Sequence, residues 1–215
     1  MKDACLHIFA KAPEPGCAKT RLIPALGAAG AARLAQELTL QTLRTAAAWG
    51  IGQIELWCSP DCAHPFFARC AAEFGVILQA QQGEDLGERM FFAFAASLSC
   101  RPYAVLIGTD CPTLDATDFH DTMNALRNGF DAVIAPAEDG GYVLLGLSRV
   151  EPRLFEGIDW GTERVLSQTR ARLRESGYRW CELREHADID RPEDLNRLFG
   201  EYPHWRHCLH EEHET

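Results

Sequence analysis

Tyr103-Ala-Val-Leu-Ile107 runs straight into Gly108-Thr-Asp110-Cys-Pro112. A short apolar run of this kind, closed by Gly and Pro, reads as a strand, and its all-apolar middle predicts burial on both faces. Such a strand belongs to a sheet with helices on each side, and open α/β sheets take ligands beyond the carboxyl ends of their strands. Asp110 falls at that edge.

The same alternation extends outward along the chain. Leu6–Ala10, Ile54–Cys58 and Val76–Ala80 read as earlier strands, separated by helical patterns over Gly27–Trp49, His64–Phe74 and Asp85–Leu98. In the last of these, Leu86, Met90, Phe94 and Leu98 recur at four-residue steps. Asp115–Asn128 is predicted helical, with Asp115 as its N-cap. Asp131–Pro136 and Tyr142–Leu147 are predicted strands joined by an acidic, glycine-rich turn. A helix over Thr162–Ser176, a strand over Trp180–Leu183 and a helix over Pro192–Phe199 complete the pattern. The prediction is an α/β fold in three layers with a mostly parallel sheet. It forms one domain over residues 1–203, and the His- and Glu-rich stretch 204–215 reads as a solvated, flexible tail.

Two further stretches converge on the edge where Asp110 falls. Lys11-Ala-Pro-Glu-Pro-Gly16-Cys-Ala-Lys19-Thr-Arg21 follows the first strand and sets three cations within eleven residues. Gly16 permits close backbone approach, and a cationic loop with open N–H groups suits phosphate oxygens. It lacks the adjacent Gly-Lys of a Walker A loop, and a solvated basic loop is the plain structural alternative. Asp188-Ile-Asp190 puts two carboxylates on one side of an extended segment. With Asp110 they could hold Mg or Mn, which take few protein carboxylates and share phosphate oxygens. Asp110 also suits a turn cap, and Asp190 suits the cap of the following helix.

Glu138-Asp139-Gly140-Gly141-Tyr142 carries a hairpin signal, and it could also bring Asp139, Gly140 and Gly141 to a sugar or phosphate. Gln81, Gly83, Asp85 and Arg89 follow the third strand and could contact base or ribose, with Asp85 as an ordinary cap the alternative. Trp160 is either a stacking wall or core. No nucleophile elbow and no GxGxxG is present.

Composition narrows the classes. The 215 residues carry 21 basic and 31 acidic side chains, a formal charge of −10, which argues against nonspecific nucleic-acid binding. No apolar run approaches the ~20 residues of a membrane span, and the N-terminus lacks signal-peptide architecture. Nine cysteines without a CxxC pair point to reduced thiols in a cytoplasmic protein and away from structural zinc.

Five ordered motifs carry a resemblance that spans about Leu6 to Leu198: Phe9-Ala-Lys-Ala-Pro13 with Gly16 and Lys19-Thr-Arg-Leu22, Asp85-Leu-Gly87 with Arg89-Met90, Ile107-Gly-Thr-Asp-Cys-Pro112, Pro136-Ala-Glu-Asp-Gly-Gly-Tyr142, and Asp188-Ile-Asp190 with Glu193-Asp194-Leu195. Together they resemble a bacterial glycosyltransferase family associated with radical-SAM and selenoprotein-like domains and with arsenosugar biosynthesis. More distantly they are similar to 2-phospholactate guanylyltransferases and molybdenum-cofactor nucleotidylyltransferases. The resemblance implies the nucleotide-diphospho-sugar transferase (GT-A) fold. This chain departs from the pattern at Trp160-Gly161-Thr162, where Trp-Ser-Thr is expected. It also carries Asp-Cys-Pro where many glycosyltransferases have Asp-x-Asp, so a second metal carboxylate must come from elsewhere.

The expectation is therefore a metal-dependent glycosyltransferase acting on a nucleotide sugar and a small-molecule acceptor. In that reading Asp110 holds the metal with Asp190 or Asp188, Lys11, Lys19 and Arg21 bind nucleotide or phosphate groups, and Asp139 orients the sugar or the acceptor and is the candidate base. A nucleotidyltransferase releasing pyrophosphate from a nucleoside triphosphate uses the same parts, and so does a nucleotide-sugar binder without turnover.

Overall fold

The computed structural model describes residues 3–50 and 52–210. Seven strands form one sheet, β1 (Ala4–Lys11), β2 (Gln53–Ser59), β3 (Ile77–Ala80), β4 (Tyr103–Ile107), β5 (Ala132–Pro136), β6 (Tyr142–Leu147) and β7 (Trp180–Glu182). Their spatial order is β3-β2-β1-β4-β6-β5-β7. β1 pairs in parallel with β2 and β4, β2 with β3, and β5 with β7, while β6 runs antiparallel to both β4 and β5. The sheet is mostly parallel, as predicted, and the fold is three-layered α/β.

Seven helices are described: α1 (Ile23–Ala48), α2 (Pro65–Phe74), α3 (Leu86–Leu98), α4 (Ala116–Arg127), α5 (Val165–Glu175), α6 (Asp194–Glu201) and α7 (Pro203–His210). Strand alternation explains the layering. Ala4, Leu6, Ile8 and Ala10 point to one face, where residues of α1, α2 and α4 close a core around Phe67, Phe119 and Met123. Phe9 and Trp57 point to the other face, where Met90 and Phe94 of α3 meet Leu166 and Leu173 of α5. A third cluster joins Leu34 and Leu38 of α1 to Leu195 and Leu198 of α6 and to Trp205.

Most boundaries fall within two residues of the sequence prediction; the consequential differences lie at α1, α5, α6 and the C-terminal stretch. α1 starts at Ile23 and is broken at Gly27, whose φ of 69° an L side chain adopts only with strain. α5 starts at Val165; Thr162 stands before it, its hydroxyl donating to Asp159 O and accepting from Arg164 N. α6 starts at Asp194; its N-cap is Glu193, without a side-chain cap bond, so Asp190 does not cap it, and the Asp194 carboxylate instead accepts from the Asp190 and Arg191 amides of the preceding turn. Finally, where a flexible tail was expected from residue 204, α7 continues the chain and Trp205 is buried. Residues 211–215 of that tail lie outside the described residues.

Among the described residues, no helix is long and apolar enough to cross a membrane.

Candidate active site

The carboxyl ends of β1, β4, β5 and β7 and the start of β6 share one edge, and a cleft of about 390 Å³ opens there. Local sequence explains how its walls are set. β4 ends at Ile107, and Gly108 and Asp110 line the cleft immediately beyond it. The β5–β6 turn holds itself: Asp139 Oδ1 accepts from Gly141 N at 2.8 Å, and Asp139 and Gly141 line the cleft. Gly140 does not reach it. Its φ is 88°, and a Cβ there would lie 2.3 Å from Glu163 O, so this glycine is required by backbone packing.

Asp188 and Asp190 are carried by a strap that follows β7. Leu183 N donates to Ile134 O, His186 N to Pro136 O, Glu138 N to His186 O, and Ile189 N to Asp110 O at 2.8 Å. Side chains anchor the strap from below. Arg184 reaches Asp118 with both Nε and Nη2 and also bonds Asp115, while His186 Nδ1 lies 3.2 Å from Thr113 Oγ1 and Nε2 lies 3.2 Å from Asp118 Oδ1. Burial pushes the Asp118 carboxyl up, but Arg184 and the Asp115 amide outweigh it and hold it below the usual carboxylate range.

The N-terminal loop closes the arrangement. Lys19 is nearly buried, and its ammonium lies 2.8 Å from Asp110 Oδ1 and 3.9 Å from Asp190 Oδ1, while also donating to Ile189 O. Arg21 pairs with Asp190. Lys19 adopts left-handed backbone, with φ 48° and ψ 45°, a conformation that non-glycine residues rarely take outside functional or constrained turns. Among the described residues Asp188 receives no such partner. Burial, followed by the Asp139 and Asp190 carboxylates, pushes its pKa up to about 6, with Lys19 opposing.

Thus the sequence-selected Asp110, Asp139, Asp188, Asp190, Arg21, Gly141 and Trp160 line one cleft, with Lys19 bound to its acidic edge. Lys11 lines an adjoining recess with Lys19 and Asp110. Gly16 is exposed with φ 82°, and a Cβ there would meet nothing within 4 Å. Gln81, Gly83, Asp85 and Arg89 do not line the cleft. Their contacts are local: Gln81 donates to Trp57 O, Arg89 Nε to Gly83 O, and Asp85 accepts from Glu88 N as the α3 cap. Cys111 is buried at the cleft edge, and that burial raises its thiol pKa, which suits packing and not nucleophilic attack.

Sequence reasoning missed the apolar end of the cleft, built by Phe9, Met90, Leu106, Tyr142 and Val143. Periodicity marks these as core, and only their nearness to strand ends sets them apart. Trp160 joins them because Gly87 leaves room for it: a Cβ at 87 would come within 2.8 Å of the indole.

The donor chemistry suits a hard divalent cation. One ammonium already lies within 4 Å of Asp110 and Asp190, and among the described residues Asp188 has no ion pair of its own, only the more distant pull of Lys19. The three carboxylates do not close within 4.8 Å of one another; among the described residues the group that does is Cys5, His7 and Glu55, beneath α3 and hydrogen-bonded with Trp57. A cation held at Asp110 would therefore rely on one or two carboxylates plus ligand oxygens, the usual arrangement for magnesium.

Comparison with known proteins gives the family and the fold. Residues 42–162 match the model of a family described as uncharacterized protein conserved in bacteria (DUF2064), a span that includes Asp110, Asp139 and Trp160 but stops before the strap. None of the curated proteins matches. Among solved structures, a candidate nucleotide-diphospho-sugar transferase from Desulfovibrio desulfuricans is 33% identical, with TM-score 0.84 over 93% of this chain and 87% of that one. A 4-diphosphocytidyl-2C-methyl-D-erythritol synthase from Anaerococcus prevotii shares the fold at 14% identity and TM-score 0.64, covering 94% and 96%. The glucosyl-3-phosphoglycerate synthase of Mycobacterium tuberculosis, solved with Mn2+, UDP and glucosyl-3-phosphoglycerate, shares it at 11% and 0.54, covering 97% and 80%.

Proposed function

The chain belongs to the DUF2064 family of bacterial proteins, and on that footing we propose that it is a metal-dependent transferase that moves a sugar from a nucleotide-diphosphate donor to a small-molecule acceptor. The observation that carries this reading is the meeting of Lys19, Asp110 and Asp190 at the ligand edge of the sheet. Asp110, with Asp190 or Asp188, would hold Mg or Mn, which neutralises charge on the departing diphosphate. Lys19 and Arg21 would face that diphosphate, and Lys11 would add positive charge from the adjoining recess. In the transfer, an acceptor hydroxyl oxygen bonds to the anomeric carbon, the bond from that carbon to the diphosphate oxygen breaks, and the hydroxyl proton passes to a base. Asp139, on the cleft wall, is the residue proposed to orient the acceptor and take the proton.

A nucleotidyltransferase reading shares the same cation site, and the fold is also that of a cytidylyltransferase from Leptospira borgpetersenii. The product distinguishes them. Incubation with Mn2+ and a panel of nucleotide sugars should release nucleoside diphosphate; pyrophosphate from a nucleoside triphosphate with a sugar phosphate would overturn glycosyl transfer in favour of the alternative. Metal-dependent binding with no turnover of either panel would leave a nucleotide-sugar sensor. Asp110→Ala should abolish metal-dependent UDP binding in calorimetry while the protein stays folded, and unchanged affinity would remove Asp110 from the metal role.

A further inference from the structure

We infer that the acceptor of this transferase is uncharged, with a flat or apolar body, and that it lies on the floor made by Phe9, Met90, Leu106, Tyr142, Val143 and Trp160; this rests on the transfer reading above.

Charge is the first reason. Four carboxylates line the cleft, those of Asp110, Asp139, Asp188 and Asp190, against one basic side chain among the described residues, Arg21. Arg21 is already paired with Asp190, and Lys19 with Asp110. A bound divalent cation does not change this balance much, because the donor's own diphosphate arrives with it. A phosphorylated or carboxylated acceptor would thus enter a negative cleft and find no cation at the apolar end. A neutral hydroxyl compound meets no such penalty.

The chemistry of the floor is the second reason. Tyr142 spends its hydroxyl on Met90 Sδ at 3.8 Å, so its ring is what remains for a ligand. Burial raises its pKa further above the ordinary value of 10. The Trp160 indole is fixed against the first turn of α3 by the missing side chain at Gly87. Aromatic faces beside aliphatic side chains favour the faces of sugar rings and aryl groups. Leu86 extends the floor outward and is 42% exposed while lining the cleft.

The test uses the full chain and calorimetric titration with four probes: 4-nitrophenyl β-D-glucopyranoside, n-octyl β-D-glucopyranoside, glucose 1-phosphate and 3-phosphoglycerate. The expected result is saturable binding of one or both neutral glycosides, at least tenfold tighter than either anion. Leu86→Arg, at an exposed position that tolerates the change, should weaken the glycosides by about tenfold and improve the anions; Trp160→Ala should weaken the glycosides without improving the anions. The inference is overturned if either anion binds more tightly than both glycosides, or if glycoside binding is indifferent to both substitutions. A separate titration with UDP and Mn2+ tests the underlying reading: loss of nucleotide binding with glycoside selectivity intact sinks the transferase and spares the neutral subsite, and the reverse pattern does the opposite.

Discussion

A divalent cation held at Asp110, as proposed, would compete with Lys19 for that carboxylate. With its ammonium at 2.8 Å from Oδ1, Lys19 stabilises the acidic edge in the free protein, and phosphates arriving with the metal would give it a second anionic partner. Lys19→Met should therefore act in opposite directions on two affinities. Mn2+ alone should bind several-fold more tightly, while UDP in the presence of Mn2+ should bind about tenfold more weakly, the equivalent of ~1.4 kcal/mol. Calorimetry on both reactions checks this, and parallel changes would contradict the competition. Asp188 is a carboxylate whose ionisation opposes folding. Its folded pKa of about 6 exceeds the ordinary value of 3.8, so the folded state binds the proton more tightly and stability falls as pH rises between the two values. Discounted for its partial exposure, the cost at neutral pH is about 1–2 kcal/mol. Asp188→Asn, melted with EDTA present, should gain roughly 2–6 °C at pH 7.5 and nothing at pH 4; a loss at pH 7.5 would show that the carboxylate is a net stabiliser.

At the scale of elements, the β5–β6 hairpin is seated on the turn before α5 through one glycine. Gly140→Ala would set a Cβ 2.3 Å from Glu163 O and 2.7 Å from its Cα, at a φ of 88°. The backbone must move, and the cost should be well over 1 kcal/mol. Gly16→Ala, at a φ of 82° with open space around it, should cost only about 1 kcal/mol; denaturant melts of the two variants give the comparison, and equal losses would mean that the Glu163 contact carries no weight. Strands and helices themselves were legible because their periods are local: Leu86, Met90, Phe94 and Leu98 announce α3, and Asp115 announces α4 by a cap that the structure contains as a full capping box. The insertion of antiparallel β6 between β4 and β5 was not legible, since strand order follows from pairings between distant segments. The α5 and α6 starts shifted because Thr162 and Pro192 open turns that tighten into helix only two or three residues later.

Across the whole molecule, the cleft depends on contacts that span nearly its full length. Lys19 meets Ile189 across 170 residues, and Arg184 reaches Asp118 across 66. Motif order drew attention to Asp110, Asp188 and Asp190, but Arg184 and His186, which hold the strap under them, carry no local signature; a salt bridge of that separation is visible only after folding. Because the loop and the strap are joined through one acidic edge, UDP with Mn2+ should slow amide exchange in both residues 11–21 and residues 186–190. Protection confined to one segment would refute that coupling.

The bond from Ile189 N to Asp110 O also has a consequence for synthesis. While the ribosome is still adding α5, the sheet's central strands already exist, yet the segment bearing Asp188 and Asp190 has not been made. A nascent chain therefore spends much of its translation with Lys19 lacking those partners, and the acidic edge is complete only once the segment after β7 has emerged.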